Sequence, residues 1–89
     1  KNNKAARGNI TGKVYDSNGK VLSGAKVEIY GGNPSTTTDY MGKYMLSGLQ
    51  PGQYKVVATN ASKTVIIIVD VARGETTENC DLTFKVTDG

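Results

Sequence analysis

Residues able to do chemistry are few in this chain of 89, and their spacing keeps them apart. There is no histidine, which removes the commonest general base and the commonest zinc ligand. Cys80 is the only cysteine, so no internal disulfide can form, and it has no imidazole to activate it. Its alternation with Leu82 and Phe84 assigns it to a core face rather than to a reactive site. The eight acidic residues are scattered over turns and outward positions, so no two carboxylates span a cleft as glycoside hydrolysis requires. Asp16-Ser17-Asn18-Gly19 shares part of a calcium loop. That loop would need an acidic ligand where Val14 stands and a bidentate glutamate where Ala25 stands, so the stretch reads as a tight turn. Asp39-Tyr40-Met41-Gly42 reads the same way. No catalytic, cofactor-binding or metal-binding set is expected.

Two groups of side chains are better suited to binding. Tyr15 and Tyr30 fall on outward positions of the opening strands and Tyr40 at a turn tip, an arrangement that could stack against a sugar if the three shared a face. Tyrosine is also an ordinary residue of exposed strand faces. Ile66 and Ile68 are sharper, because they put two β-branched apolar side chains on a face that should be wet, as a surface covered by a neighbouring domain or partner would. A strand buried on both faces, or simple β-propensity, would leave the same pattern.

The elements that must carry these residues are strands. Side chains of an extended chain alternate between faces, and Ile10, Gly12 and Val14 form the inner face of a first strand. The Asp16–Gly19 turn follows, supplying Asp and Asn side chains to bond the backbone and a Gly for positive φ. Ala25, Val27 and Ile29 line a second strand, so the opening reads as a hairpin, with Leu22 plugging its end. Gly31-Gly32-Asn33-Pro34 must be a loop. Further strands are expected from Ser35 to Thr38 and from Lys43 to Leu46, followed by a bend that points Leu49 into the core. Tyr54, Val56 and Ala58 face inward on the next strand, and Val65, Ile67, Val69 and Val71 on the one after, which Gly74 ends. Cys80, Leu82, Phe84 and Val86 line a final strand, with Asp81 and Lys85 outside. Six to seven short strands without an amphipathic helix predict an all-β, two-sheet β-sandwich.

Size and charge narrow the function. A chain this short makes one domain with a modest core and no room for an enclosed active site. Lys1 to Gly8 is polar and aperiodic, a disordered linker by composition, and the domain is expected over residues 9–87. The formal charge of +3 lies in that lead-in: without Lys1, Lys4 and Arg7, eight basic residues face eight acidic ones, so nucleic acid is not an expected partner. No segment is long enough for a membrane helix, so no membrane insertion is expected. Asn9-Ile10-Thr11 and Asn60-Ala61-Ser62 match the glycosylation sequon, a pattern too short to decide anything.

Four pieces of the chain, in order, resemble a known family. They are Gly12-Lys13-Val14-Tyr15-Asp16, Gly19-Lys20-Val21-Leu22-Ser23-Gly24-Ala25-Lys26-Val27, Thr38-Asp39-Tyr40-Met41-Gly42-Lys43-Tyr44 and Leu49-Gln50-Pro51-Gly52-Gln53-Tyr54. Together they resemble the carboxypeptidase regulatory-like domain, a prealbumin-like (transthyretin-like), Ig-like sandwich related to the CnaB-type domains of bacterial surface proteins. Val21 departs from the family, which often has Pro there. The resemblance implies a non-catalytic accessory module of a secreted or cell-surface bacterial protein, a rigid spacer or docking domain whose partners are neighbouring domains of the same chain or a docking protein. One version is an X-module beside a dockerin or cohesin in a cellulosome. The alternative is a carbohydrate-binding module that holds a polysaccharide on the tyrosines. CnaB-type domains often carry an isopeptide bond from a strand lysine assisted by a buried acid. The places of those two residues are held here by Val14 and Ala58, so no such bond is expected.

Overall fold

The computed structural model describes residues 6–85 and contains two sheets of four strands each, with no helix among the described residues. The first sheet is built on β1 (Gly8–Tyr15). On one side of it lies antiparallel β4 (Lys43–Leu49), and on the other, parallel to it, lie two short pieces in succession, β7 (Thr76–Thr77) and β8 (Leu82–Thr83). The second sheet runs β3 (Ser35–Thr37), β2 (Lys26–Ile29), β5 (Gly52–Asn60), β6 (Lys63–Val71), all neighbours antiparallel. This is the two-sheet sandwich that alternation predicts. Eight strand segments occupy seven positions, because β7 and β8 share one edge of β1.

The core lies between the sheets and is drawn from the inward parity of each strand. Ile10 and Val14 of β1, Tyr44, Leu46 and Leu49 of β4, Val27 and Ile29 of β2, Val56 and Ala58 of β5, and Val69 and Val71 of β6 are all buried, with Leu82 and Phe84 closing one side. Leu22 is half-buried against this cluster. Val86 lies outside the described residues.

The opening segment is not a hairpin. Beyond the Asp16 turn, the returning chain makes a single bridge, Tyr15 to Val21, and Leu22 N–H donates to Val14 C=O at 2.8 Å. The chain then crosses to the other sheet, where Thr38 receives it. The buried Thr38 hydroxyl accepts from Ala25 N–H at 2.9 Å and donates to Leu22 C=O at 2.6 Å. Alternation fixes which face of a strand is buried but carries nothing about which sheet the strand joins. β1 and β2 therefore belong to opposite sheets.

The two turns expected from sequence share one construction. Asp16 Oδ1 accepts from the N–H groups of Asn18 and Lys20 at 2.8 and 3.0 Å, and Asp39 Oδ1 accepts from Met41 and Lys43, both at 2.9 Å. Gly19 and Gly42 close them with φ of +84° and +78°, donating to Asp16 C=O and Asp39 C=O.

The lead-in is engaged earlier than composition implies. Gly8 is buried, pairs with Leu49 and belongs to β1, while Arg7 Nη1 donates to Gly48 C=O at 3.1 Å. A glycine placed where Val71, Ala72 and Glu75 crowd the backbone is a packing requirement that composition does not reveal. The rest of the expected linker, residues 1–5, lies outside the described residues.

Candidate functional site

Sheet register brings one apolar surface together. On the outer face of the second sheet, Val57 of β5 stands directly opposite Ile66 of β6, and Lys55 opposite Ile68. Cross-strand neighbours on one face have Cβ atoms roughly 5 Å apart, so Val57 and Ile66 touch across the ladder and Ile68 adjoins them two residues along. Ile66 and Ile68 are 48% and 56% exposed, while Val57 is only 8% exposed. Charge surrounds the patch: Glu28 lies opposite Val57 on β2, is paired with Lys26 at 3.5 Å, and Lys55 flanks Ile68. An apolar centre with a polar rim is how docking surfaces are composed.

Val57 was not singled out by sequence reasoning. Its neighbours Val56 and Ala58 are core residues, and Val57 reads there as an outward exception. Its register with Ile66 is the missing piece of information, and a hairpin closed by Asn60 to Lys63 fixes it.

The three tyrosines are not brought onto one sheet. Tyr15 ends β1 on the outer side of the first sheet, half-buried beside a shallow polar cleft of about 310 Å³ that includes Lys13, Lys43, Glu78 and Asp81. Tyr40, 83% exposed, tips the turn that leads into β4. Tyr30, 69% exposed, follows β2 on the opposite sheet, and the Lys55 ammonium sits 5.4 Å from its ring centroid. A cation over the ring occupies a face that a sugar would need.

Cys80 is half-buried against the core rather than enclosed by it. Burial, then the nearby Asp81 carboxylate, pushes its thiol pKa up, the opposite of what a nucleophile requires. Its backbone has the larger structural part. Cys80 N–H donates to Thr11 C=O at 2.9 Å, and its carbonyl accepts from the Tyr44 hydroxyl at 2.6 Å. Burial raises the Tyr44 phenol well above its ordinary range and so keeps it a donor. Val14 and Ala58, at the places of the CnaB-type lysine and acid, are both fully buried in the apolar core. No group of three or more potential metal ligands occurs among the described residues.

These features define a small β-sandwich module with an apolar outer face on its β5–β6 hairpin. The sequence matches the carboxypeptidase regulatory-like domain over residues 9–86, and the chain belongs to that family. No curated protein matches the chain. Among solved structures it resembles the Bacillus anthracis TIE protein, with a TM-score of 0.71 and 22% identity over 90% of this chain and 16% of that one. It also resembles a type II cohesin–X–dockerin complex from Acetivibrio cellulolyticus, with a TM-score of 0.62 and 17% identity over 85% of this chain and 56% of that one. Catechol 1,2-dioxygenase from Pseudomonas arvilla C-1 has a TM-score of 0.70 and 11% identity over 99% of this chain and 55% of that one. At these identities the likeness is one of fold, and this chain spans less than a fifth of the first of the three and little more than half of the other two.

Proposed function

We propose that this domain is a non-catalytic accessory module of a secreted or cell-surface bacterial protein, and that it docks through the outer face of its β5–β6 hairpin. The observation that carries this reading is the Val57–Ile66–Ile68 patch, contiguous by register and rimmed by Glu28, Lys26 and Lys55. Water-exposed isoleucines do nothing for a spacer. Covering them with a neighbouring domain removes apolar area from water at about 25 cal/mol per Å². The likeness to a structure that contains an X-module beside a dockerin favours a neighbour of the same chain as the covering partner. The residues give catalysis little to work with: there is no histidine, and the single thiol is shifted away from reactivity.

Hydrogen exchange of the isolated domain and of the full parent chain tests this. Val57 and Ile66–Ile68 should exchange more slowly in the parent chain, and an Ile66→Lys/Ile68→Lys variant should lose that added protection while the domain stays folded. Equal exchange in both settings, with the double variant indistinguishable, would overturn the docking reading. A polysaccharide reading keeps one foothold, the cleft beside Tyr15. Retention on an insoluble glycan that disappears in Tyr15→Ala would favour it.

A further inference from the structure

Strand β6 differs from every other edge of the sandwich. It is the outermost strand of its sheet and nine residues long, and Val65, Ile66, Ile67 and Ile68 are four consecutive β-branched apolar residues of which none is buried. Val65 and Ile67 point inward and are still only half-buried. Beside them the sandwich opens into a cleft of about 600 Å³ between Ser62–Val65 and Thr83–Lys85.

The direction of the backbone groups follows from the antiparallel ladder. Tyr30 N–H donates to Lys55 C=O at 2.9 Å, so the peptide groups of Lys55 face β2. Successive residues of a strand face opposite neighbours, so those of Val56 face β6, where they meet Ile67. The N–H and C=O groups of Thr64, Ile66, Ile68 and Asp70 therefore point off the sheet. The Thr77 hydroxyl agrees with this, donating to Asp70 C=O at 2.9 Å and closing the edge at that end. Among the described residues, none bonds the outward N–H and C=O groups of Thr64, Ile66 and Ile68.

We propose that this open edge pairs with a second copy of the chain, forming a two-fold dimer in which β6 lies antiparallel to its equivalent about Ile66. The three open residues are symmetric about that point: Thr64 pairs with Ile68 of the partner subunit, Ile66 with Ile66 of the partner subunit. Residues directly opposite share a face, so the exposed isoleucines meet on the outer side and Val65 covers Ile67 of the partner subunit on the inner side. Charge selects the same orientation. Lys63 and Lys85 lie at one end of the edge, and Asp70 and Glu75, with Arg73 between them, at the other, leaving that end net acidic. Antiparallel pairing sets each basic end beside the partner's acidic end, whereas parallel pairing would set like charges together. Each copy has one such edge, so association closes at two. Pairing joins the two outer patches into one, which deepens the docking reading, but it uses backbone groups that docking through the face does not need.

Sedimentation velocity over a concentration series tests it. The 9.4 kDa chain should show a concentration-dependent dimer. Thr64→Pro removes an N–H that points off the sheet and is used by no described residue of the copy, so circular dichroism should not change. The dimer should weaken at least about tenfold, since two intermolecular hydrogen bonds are lost by symmetry. Lys63→Glu should weaken it too, by removing positive charge from the basic end. A monomer at every concentration, or a dimer undiminished in Thr64→Pro, overturns the pairing. If the pairing fails while Ile66→Lys/Ile68→Lys still abolishes protection in the parent chain, face docking stands alone. If the pairing holds and that protection is absent, face docking falls.

Discussion

Two stretches of chain border the open side of the sandwich, β6 and the run from Thr76 to Lys85, and they are built in opposite ways. The second is broken. Between β7 and β8, residues Glu78–Asp81 leave the regular ladder, with Asn79 at φ of +62°. Cys80 and Asp81 keep hold of β1 through Thr11 C=O and Lys13 N–H, the latter donating to Asp81 Oδ1 at 2.9 Å. The Cys80 backbone presses over Gly12, and Glu78, Asn79 and Asp81 face solvent. A bulge with outward carboxylates is a means of stopping a sheet from growing. β6 has no bulge, proline or mid-strand charge along Thr64–Val69. The open edge is therefore a property of β6 and not of its position beside the open side of the sandwich, since the β7–β8 edge facing it is closed.

The largest effect should come from filling the space that the bulge needs. A Cβ added at Gly12 would fall on the Cys80 carbonyl, which is backbone and cannot rotate away. Gly12→Ala should cost up to about 3 kcal/mol, an overpacking penalty, read from the urea midpoint. An unchanged midpoint would mean that the bulge is soft and the contrast with β6 is one of sequence alone. Tyr44→Phe is gentler. It leaves the Cys80 carbonyl without its 2.6 Å donor and should cost about 1 kcal/mol, with faster exchange confined to the β7–β8 stretch. Exchange that rises equally in β6 would show that the two stretches are not independent.

Much of this was legible in the sequence because period-two alternation and Asp-to-Gly turns are local. Inward parity places Ile10, Val14, Val27, Ile29, Val56, Ala58, Val69, Val71, Leu82 and Phe84, all of them buried. What failed was non-local. The sheet that β2 joins depends on Thr38, which lies 13 residues from the backbone it caps. Cys80 has the right parity but lies off the strand, and the only sequence trace of the bulge is a glycine at an inward position of β1. Val57 became part of the surface only through its register with Ile66. The exposure of Ile66 and Ile68 depends on what stands beyond β6, which no local pattern contains.

Acid should separate the two halves with the smallest effect. Asp16 and Asp39 hold the ends of β1 and β4. Backbone N–H groups, those of Lys20 and Lys43 foremost, keep their carboxyls below the ordinary value near 3.8. A carboxyl whose folded pKa is depressed stabilises the fold above its unfolded value and loses that contribution as pH falls through the folded one. Both groups are exposed, so the loss is modest, and it should begin below about pH 4. The β5–β6 hairpin has no carboxylate bonded to backbone N–H among the hydrogen bonds of its described residues; the Asp70 carboxylate accepts only from the Gln53 side-chain amide. Protection of the Asn18, Lys20, Met41 and Lys43 amides, taken against a free amide at the same pH, should therefore fall with acid before that of Val56, Val57 and Ile67 changes. Asp16→Asn/Asp39→Asn, which keeps the acceptor oxygens without a titrating proton, should flatten that dependence. If the β5–β6 amides loosen at the same pH as the turns, or if the double variant keeps the full acid slope, then the sheets respond as one body. The open strand would then owe its order to the closed one.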